Sequence, residues 1–264
     1  MPPTTPRHSP LDRVVETFST ARAITVLTGA GISAASGVPT FRGRSGLWER
    51  YRPEDLATPE AFARDPAVVW RWYDWRRRTL APLLPNRGHA VIAHWSRRRR
   101  GLTVVTQNVD GLHEMANTRD VVRLHGSIWD VRCAASCDGG REPWRDTRVP
   151  LPELPPHCAA CGGLLRPDIV WFGEALPAAA VTRATAATRC DLFVAIGTSA
   201  IVHPAAGLAA RAREAGALVV EINPERTAHS DLADVALAMP AETALDALEQ
   251  RLALAEGRPP LPDC

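Results

Sequence analysis

At 264 residues, 45% of them apolar, and with a formal charge of +2, the chain can bury one large core with a smaller module attached. It lacks the strongly basic balance of a nucleic-acid binder. The N-terminal stretch Met1 to Arg13 has no apolar run, and nothing approaches the roughly 18 apolar residues of a membrane span, so a cytoplasmic protein is expected, with its six cysteines as metal ligands or core residues rather than disulfides.

Leu11, Val14, Val15 and Phe18 repeat at helical spacing behind Ser9-Pro10, which predicts a capped amphipathic helix. Ala23 to Leu27 is an apolar run suited to a buried strand. The stretch after it, Thr28 to Trp48 (TGAGISAASGVPTFRGRSGLW), is too rich in small and backbone-permissive residues for regular structure and reads as a ligand loop. Gly29 and Gly31 allow a sharp turn and close approach to a ligand, and Ile32 to Ser36 can start a helix whose N-terminus favours phosphate. Pro39 and Gly43 flank Phe41-Arg42, so a ring and a guanidinium are presented from a second loop. The spacing departs from the dehydrogenase glycine fingerprint, because Ser33-Ala34 stands where the third glycine would be.

Thr58-Pro59 and Asp65-Pro66 each read as an N-cap followed by the first helical residue, placing a helical insertion at 46–85. Asn86 to Ser96 is amphipathic, and Arg97 to Arg100 close it as cations facing a helix C-terminus. Leu102 to Thr106 is a second buried strand with Gln107-Asn108-Val109-Asp110 at its carboxyl edge, where open parallel sheets bind ligands. The amides suit a carboxamide or ribose hydroxyls, and an N-cap is the competing role for Asp110. Val121 to Leu124 is a further strand, followed at once by His125-Gly126.

Cys133-x3-Cys137 and Cys158-x2-Cys161 are two thiolate pairs at nearly the spacing of a four-cysteine zinc ribbon, with one residue more than usual in the first. With no position left open, the ion they predict is structural. Asp168 to Glu174 is strand-like and on its pattern alone reads as an internal sheet strand. Strand and helix alternation resumes with Asp191 to Ile196, a helix from Pro204 to Ala215, and Ala217 to Ile222. Gly197-Thr198-Ser199 and Asn223-Pro224-Glu225 follow the two strands as nucleotide-crevice loops. Cys190 reads as a buried small hydrophobe and Cys264 as a free tail thiol.

The segment GAGISAASGVPTFRG, followed in order by Thr106 to Asp110, Leu124-His125-Gly126 and Gly197-Thr198-Ser199, resembles the signature of the sirtuins, the NAD-dependent protein deacylases. With the cysteine pairs the resemblance spans about residues 23 to 225. It implies NAD held by Gly29, Ala30, Gly31, Phe41, Arg42, Trp48, Gln107, Asn108, Val109, Asp110, Gly197, Thr198, Ser199, Asn223, Pro224, Glu225 and Ala241. It implies His125 as general base with Asn108 beside it, a peptide strand against Val170, Phe172, Gly173 and Glu174, and one structural zinc on Cys133, Cys137, Cys158 and Cys161. The implied reaction begins with attack of the acyl-lysine carbonyl oxygen on C1′ of the nicotinamide ribose; His125 then deprotonates a ribose hydroxyl and the acyl group passes to the sugar. Acyl-lysine proteins are the expected partners, and the chain itself contains no lysine, all 31 basic residues being arginine.

The expected architecture is α/β, a Rossmann-like parallel sheet flanked by helices. Its parts are 10–45, 86–128 and 166–256, with a smaller domain formed by the insertion at 46–85 and a zinc module at 129–165. Tyr73 and Arg76 lie three apart on one helix face, where a phenol and a guanidinium can hold a carboxylate. Tyr73-x-x-Arg76 and Asp55 to Pro59 are similar to the desuccinylase-like class, which implies succinyl- or malonyl-lysine as substrate with acetyl-lysine possible. Trp70, Trp72 and Trp75 cannot all be core on one helix, which makes part of it a pocket wall or interface. The alternatives are a plain deacetylase, a mono-ADP-ribosyltransferase on the same scaffold, a nicotinamide dehydrogenase, and a zinc-ribbon nucleic-acid binder.

Overall fold

The computed structural model describes residues 9–41, 46–47, 51–140 and 142–262; Arg42, Gly43, Trp48 and Cys264 lie outside them. Helices are α1 Pro10–Thr20, α2 Pro53–Leu56, α3 Pro59–Arg64, α4 Pro66–Leu80, α5 Arg87–Arg98, α6 Leu112–Met115, α7 Ala178–Ala187, α8 Leu208–Glu214 and α9 Ala241–Ala255. The strands are β1 Ile24–Thr28, β2 Leu102–Thr106, β3 Val121–Arg123, β4 Gly126–Cys133, β5 Trp144–Arg145, β6 Leu165–Ile169, β7 Leu192–Ile196, β8 Leu218–Ile222 and β9 Val235–Leu237.

Six strands form one sheet in the order β3-β2-β1-β7-β8-β9, every neighbouring pair parallel. Alternation along β1 divides its residues between two cores. Ile24 and Val26 join Val14, Phe18, Ile92, Trp95 and Leu245 of α1, α5 and α9 on one face, while Leu27 meets Ala184, Phe193 and Ala209 beside α7 and α8 on the other. Burial on both faces is why these strands are apolar runs rather than alternating ones. Capping follows the sequence: Ser9 forms a capping box with Asp12, and Thr58, Asp65 and Asn86 each accept from the first turn of their helices. The arginines that close α5 are engaged by other parts of the chain, Arg97 donating to the carbonyls of Ala116 and Asn117 while Arg98 and Arg99 pair with Glu256.

The smaller unit is the antiparallel sheet β5-β4-β6 with α2, α3 and α4 packed on it. Trp70 and Tyr73 share a core with Ile128, Val131 and Leu165, and Trp70 Nε1 and Arg77 Nε donate to the carbonyls of Leu165 and Ile128. Three expectations are corrected. β4 starts at Gly126 and β6 runs to Ile169, with Gly126 opposite Ile169, so 126–128 and 166–169 belong to the small sheet; antiparallel pairing across that distance leaves no local mark. The chain after Ile169 is not a strand. Val170 N donates to the His125 carbonyl, and Trp171 to Glu174 then turn through Gly173 at φ +86. The segment after β1 is a 3-10 helix, Ala30–Ser36, closed by Gly37 at φ 90.

Candidate functional site

Thr28, Thr106 and Ile196 stand level at the carboxyl ends of β1, β2 and β7, so the three loops that follow leave the sheet side by side. Backbone bonds weld them: Gly29 N donates to Ile196 O, Gly31 N to Gly197 O and Gln107 N to Thr28 O. A Cβ on Gly31 would lie 2.6 Å from Gly197 Cα, and one on Gly29 would lie 2.6 Å from Gly197 O. These glycines are therefore required by loop-to-loop contact, a reason additional to approach by a ligand. Asn108 Nδ2 donates to Gly29 O and Ser33 Oγ, Gln107 Nε2 to Thr198 Oγ1, and Asn223 Nδ2 to Thr198 O.

Above these loops and below the small unit lies a cavity of about 980 Å³, at the upper end of the range for ligand pockets. Its walls include Gly29, Ala30, Gly31, Phe41, Gln107, Asn108, Val109, Gly197, Thr198, Ser199, Asn223, Pro224, Glu225 and Ala241. His125, Tyr73, Arg76, Val170, Phe172, Gly173 and Glu174 face the same space. Asp110 does not line it. Its Oδ2 accepts from Ser33 Oγ at 2.8 Å and its Oδ1 from Leu112 N at 2.9 Å, although the N-cap of α6 is Gly111 rather than Asp110, and burial raises its carboxyl above the usual range despite those bonds.

Beneath the glycine loop, Ser33, His89, His113, Thr28 and Thr106 continue this buried polar cluster. Burial holds His113 down to about 4, and burial together with His113 holds His89 down to about 3. Ser33 sits inside the glycine motif, but among alanines it read only as a small residue.

His125 lies two residues beyond the end of β3. Its Nδ1 lies 2.9 Å from Gln107 O; a carbonyl can only accept, so Nδ1 carries the hydrogen and Nε2 keeps its lone pair. Burial lowers the His125 pKa, outweighing that bond, which acts the other way. At neutral pH the imidazole is therefore a neutral base.

At the other end, Tyr73 and Arg76 of α4 are 1% and 6% exposed. The Arg76 guanidinium lies 4.7 Å from the Phe41 ring centroid and 5.1 Å from that of Trp72. Among the described residues it has no hydrogen-bond acceptor and no ion-pair partner. Trp70 and Trp72 are buried and Trp75 is 40% exposed, with Trp72 forming the pocket wall. Glu174 is spoken for: Arg166 grips both of its oxygens at 2.6 and 2.8 Å, and Trp171 N donates to Oε2. The role of Trp171 escaped the sequence reading because its partner Tyr73 is distant in the chain.

The four cysteine sulfurs lie within 4.8 Å of one another, with Cys133–Cys161 at 3.6 Å and Cys137–Cys158 at 3.7 Å. Four thiolates at about 2.3 Å from a tetrahedral ion stand about 3.8 Å apart, so the set fits one structural zinc. The extra residue in the first pair is absorbed by Ser136 in a left-handed conformation, φ 51. Gly140 backs the cluster where a Cβ would lie 2.7 Å from that of Cys133. None of the four cysteines lines the cavity. Cys190 is buried, as expected.

A family model described as the Sir2 family matches residues 29–204. The NAD-dependent protein deacylase of Aquifex aeolicus is 50% identical over 223 residues, covering 84% of this chain and 92% of that protein. A solved complex of a mutant Sir2 homologue with ADP-ribose superposes with a TM-score of 0.88 at 42% identity, covering 93% of this chain and 98% of the other. A Sir2 protein bound to an acetylated peptide superposes with a TM-score of 0.80 at 26% identity, covering 94% and 98%.

Proposed function

This chain belongs to the Sir2 family, and from that premise we propose that it is an NAD-dependent protein deacylase whose preferred acyl-lysine ends in a carboxylate, succinyl or malonyl rather than acetyl. The observation that carries the preference is Arg76, a buried guanidinium on the cavity wall with no acceptor among the described residues, one helical turn from the Tyr73 phenol. A desolvated cation held in place only by aromatic faces is complementary to an anion, and a carboxylate answers its fork with two parallel hydrogen bonds.

In this reading the loops after β1, β2, β7 and β8 hold NAD, with Asn223 to Glu225 and Ala241 on its adenosine half and Gln107 to Val109 toward the nicotinamide. Bound NAD supplies an electrophilic ribose carbon with nicotinamide as leaving group. His125 takes a proton at Nε2. Asn108 holds the glycine loop through Nδ2, and its Oδ1 accepts nothing among the described residues, which leaves it for the reacting pair. Val170, Phe172 and Gly173 line the side of the cavity where an extended acyl-lysine peptide would lie, the N–H groups of Val170 and Phe172 being already donated to the carbonyls of His125 and Ala57, while Glu174 acts indirectly by holding their turn. No helix among the described residues is long and apolar enough to cross a membrane; a cytoplasmic setting belongs to the same proposal.

Mass spectrometry of products from NAD with matched acetyl- and succinyl-lysine peptides tests the reading. Free nicotinamide with O-succinyl-ADP-ribose, formed faster than its acetyl counterpart, is expected. ADP-ribose left covalently on protein would favour a transferase, and faster acetyl turnover would remove the acidic preference.

A further inference from the structure

Trp171 is outside the set of residues that touch a bound acyl-lysine in the reading above, yet its indole nitrogen donates to the Tyr73 hydroxyl oxygen at 2.9 Å. An indole N–H can only donate. The phenol oxygen is therefore an acceptor there, and its own hydrogen must point elsewhere. Among the described residues nothing accepts that hydrogen, although Tyr73 is 1% exposed and borders the cavity.

We propose that Trp171 is a positioning residue that holds the Tyr73 hydroxyl as a hydrogen-bond donor into the cavity, so that this end of the pocket offers an acyl tail donors only. The inference rests on the reading of Tyr73 and Arg76 as the acyl-tail site and gives the physical reason for its selectivity. A phenol free to rotate would serve an acceptor or a donor equally; one whose lone pair is engaged serves acceptors. With Arg76, which carries no acceptor atom at all, the tail it fits is a carboxylate rather than an amide or a hydroxyl.

The indole is held by several contacts. The Arg166 guanidinium lies over its ring, 3.6 Å from the centroid, and Phe62 packs at 5.3 Å. Its backbone N–H is tied to Glu174 Oε2, and the next residue, Phe172, donates from its backbone to Ala57 O. Arg166, Glu174 and the turn at Gly173 are thus the frame that aims one N–H at one phenol. Burial pushes the Tyr73 pKa up to about 12 while the Trp171 bond acts to lower it, so the phenol keeps its hydrogen at any working pH.

The chain has two tyrosines, so Tyr51→Phe leaves Tyr73 as the sole reporter. The tyrosine Fermi doublet in its ultraviolet resonance Raman spectrum distinguishes an accepting phenol from a donating one. In Tyr51→Phe protein the ligand-free doublet is expected to read as an accepting phenol and to change toward donation on adding a succinyl-lysine peptide. A doublet that reads as donor-only without ligand overturns the proposal with no Trp171 variant needed. Adding Trp171→Phe keeps the stacked ring and removes the N–H. The accepting signature should vanish, and the succinyl-over-acetyl ratio of kcat/KM should fall about three- to tenfold, but no further in a Tyr73→Phe background. An unchanged doublet, or an equal fall with and without the Tyr73 hydroxyl, overturns it. A doublet that responds to Trp171→Phe while the ratio ignores Tyr73→Phe supports the positioning and sinks the acidic-acyl reading instead.

Discussion

Replacing Arg76 by methionine keeps most of the aliphatic volume and removes the charge. In the ligand-free protein that charge is 6% exposed, lies between the rings of Phe41 and Trp72, and faces no acceptor among the described residues. Burial lowers its pKa, with Tyr73 and Asp110 acting the other way. Two effects then compete in the free enzyme. The cation–π attraction that the substitution abolishes is worth about 0.5 to 2 kcal/mol, and the penalty of keeping a cation out of water, several kcal/mol per ion in the interior, is relieved. Relief is at least as large, so the melting temperature of the free variant should hold or rise. On the proposed reading the balance reverses in the succinyl complex, because a charge-assisted hydrogen bond to a carboxylate contributes about 1.5 to 3 kcal/mol. Its loss should lower kcat/KM for a succinyl-lysine peptide by about one to two decades relative to the matched acetyl-lysine peptide. Steady-state kinetics on both peptides, with thermal unfolding of the free protein alongside, make the measurement. Equal losses on both peptides together with a drop of several degrees would show that Arg76 is part of the scaffold and refute the reasoning.

His125→Ala should lower deacylation about 10²- to 10⁴-fold while calorimetry still finds NAD bound; activity within a few-fold of the parent removes His125 from the chemistry. Because burial lowers the His125 pKa, the acid limb of kcat/KM should fall below the ordinary histidine value of about 6.5, and a limb above it contradicts the assignment. His89 and His113, held down to about 3 and about 4, are neutral in the fold but take up protons when unfolded. Their stability contribution is complete above about pH 6.5 and is lost as pH falls toward 4, by up to about 1.4 kcal/mol per pH unit for each. Urea unfolding at pH 7 and pH 5 should show that loss, and equal stability at both would disprove it. Elemental analysis should find about one zinc per chain, and stoichiometric zinc persisting in a Cys158→Ala, Cys161→Ala double variant would exclude the four-cysteine site.

What the sequence determined by itself was whatever depends on near neighbours. Helix starts were legible because a cap is an interaction over two or three residues: Ser9 with Asp12, Thr58 with Ala61, Asp65 with Val68, Asn86 with Gly88. Buried strands were legible as apolar runs, the cysteine site as a spacing, and the nucleotide loops as ordered motifs. The tertiary structure alone decided which of these meet, because strand pairing and side-chain contact are long-range and leave no periodicity. It put β7 beside β1, so that Gly197 presses on Gly29 and Gly31. It turned Asp110 inward to Ser33, whereas Gln107, Asn108 and Val109 just before it face the cavity. It set Trp171 against Tyr73 across 98 residues of chain. Val170 and Trp171 are adjacent in one apolar segment, and only tertiary contacts determine that the first donates its backbone N–H to the His125 carbonyl and the second its indole N–H to a phenol.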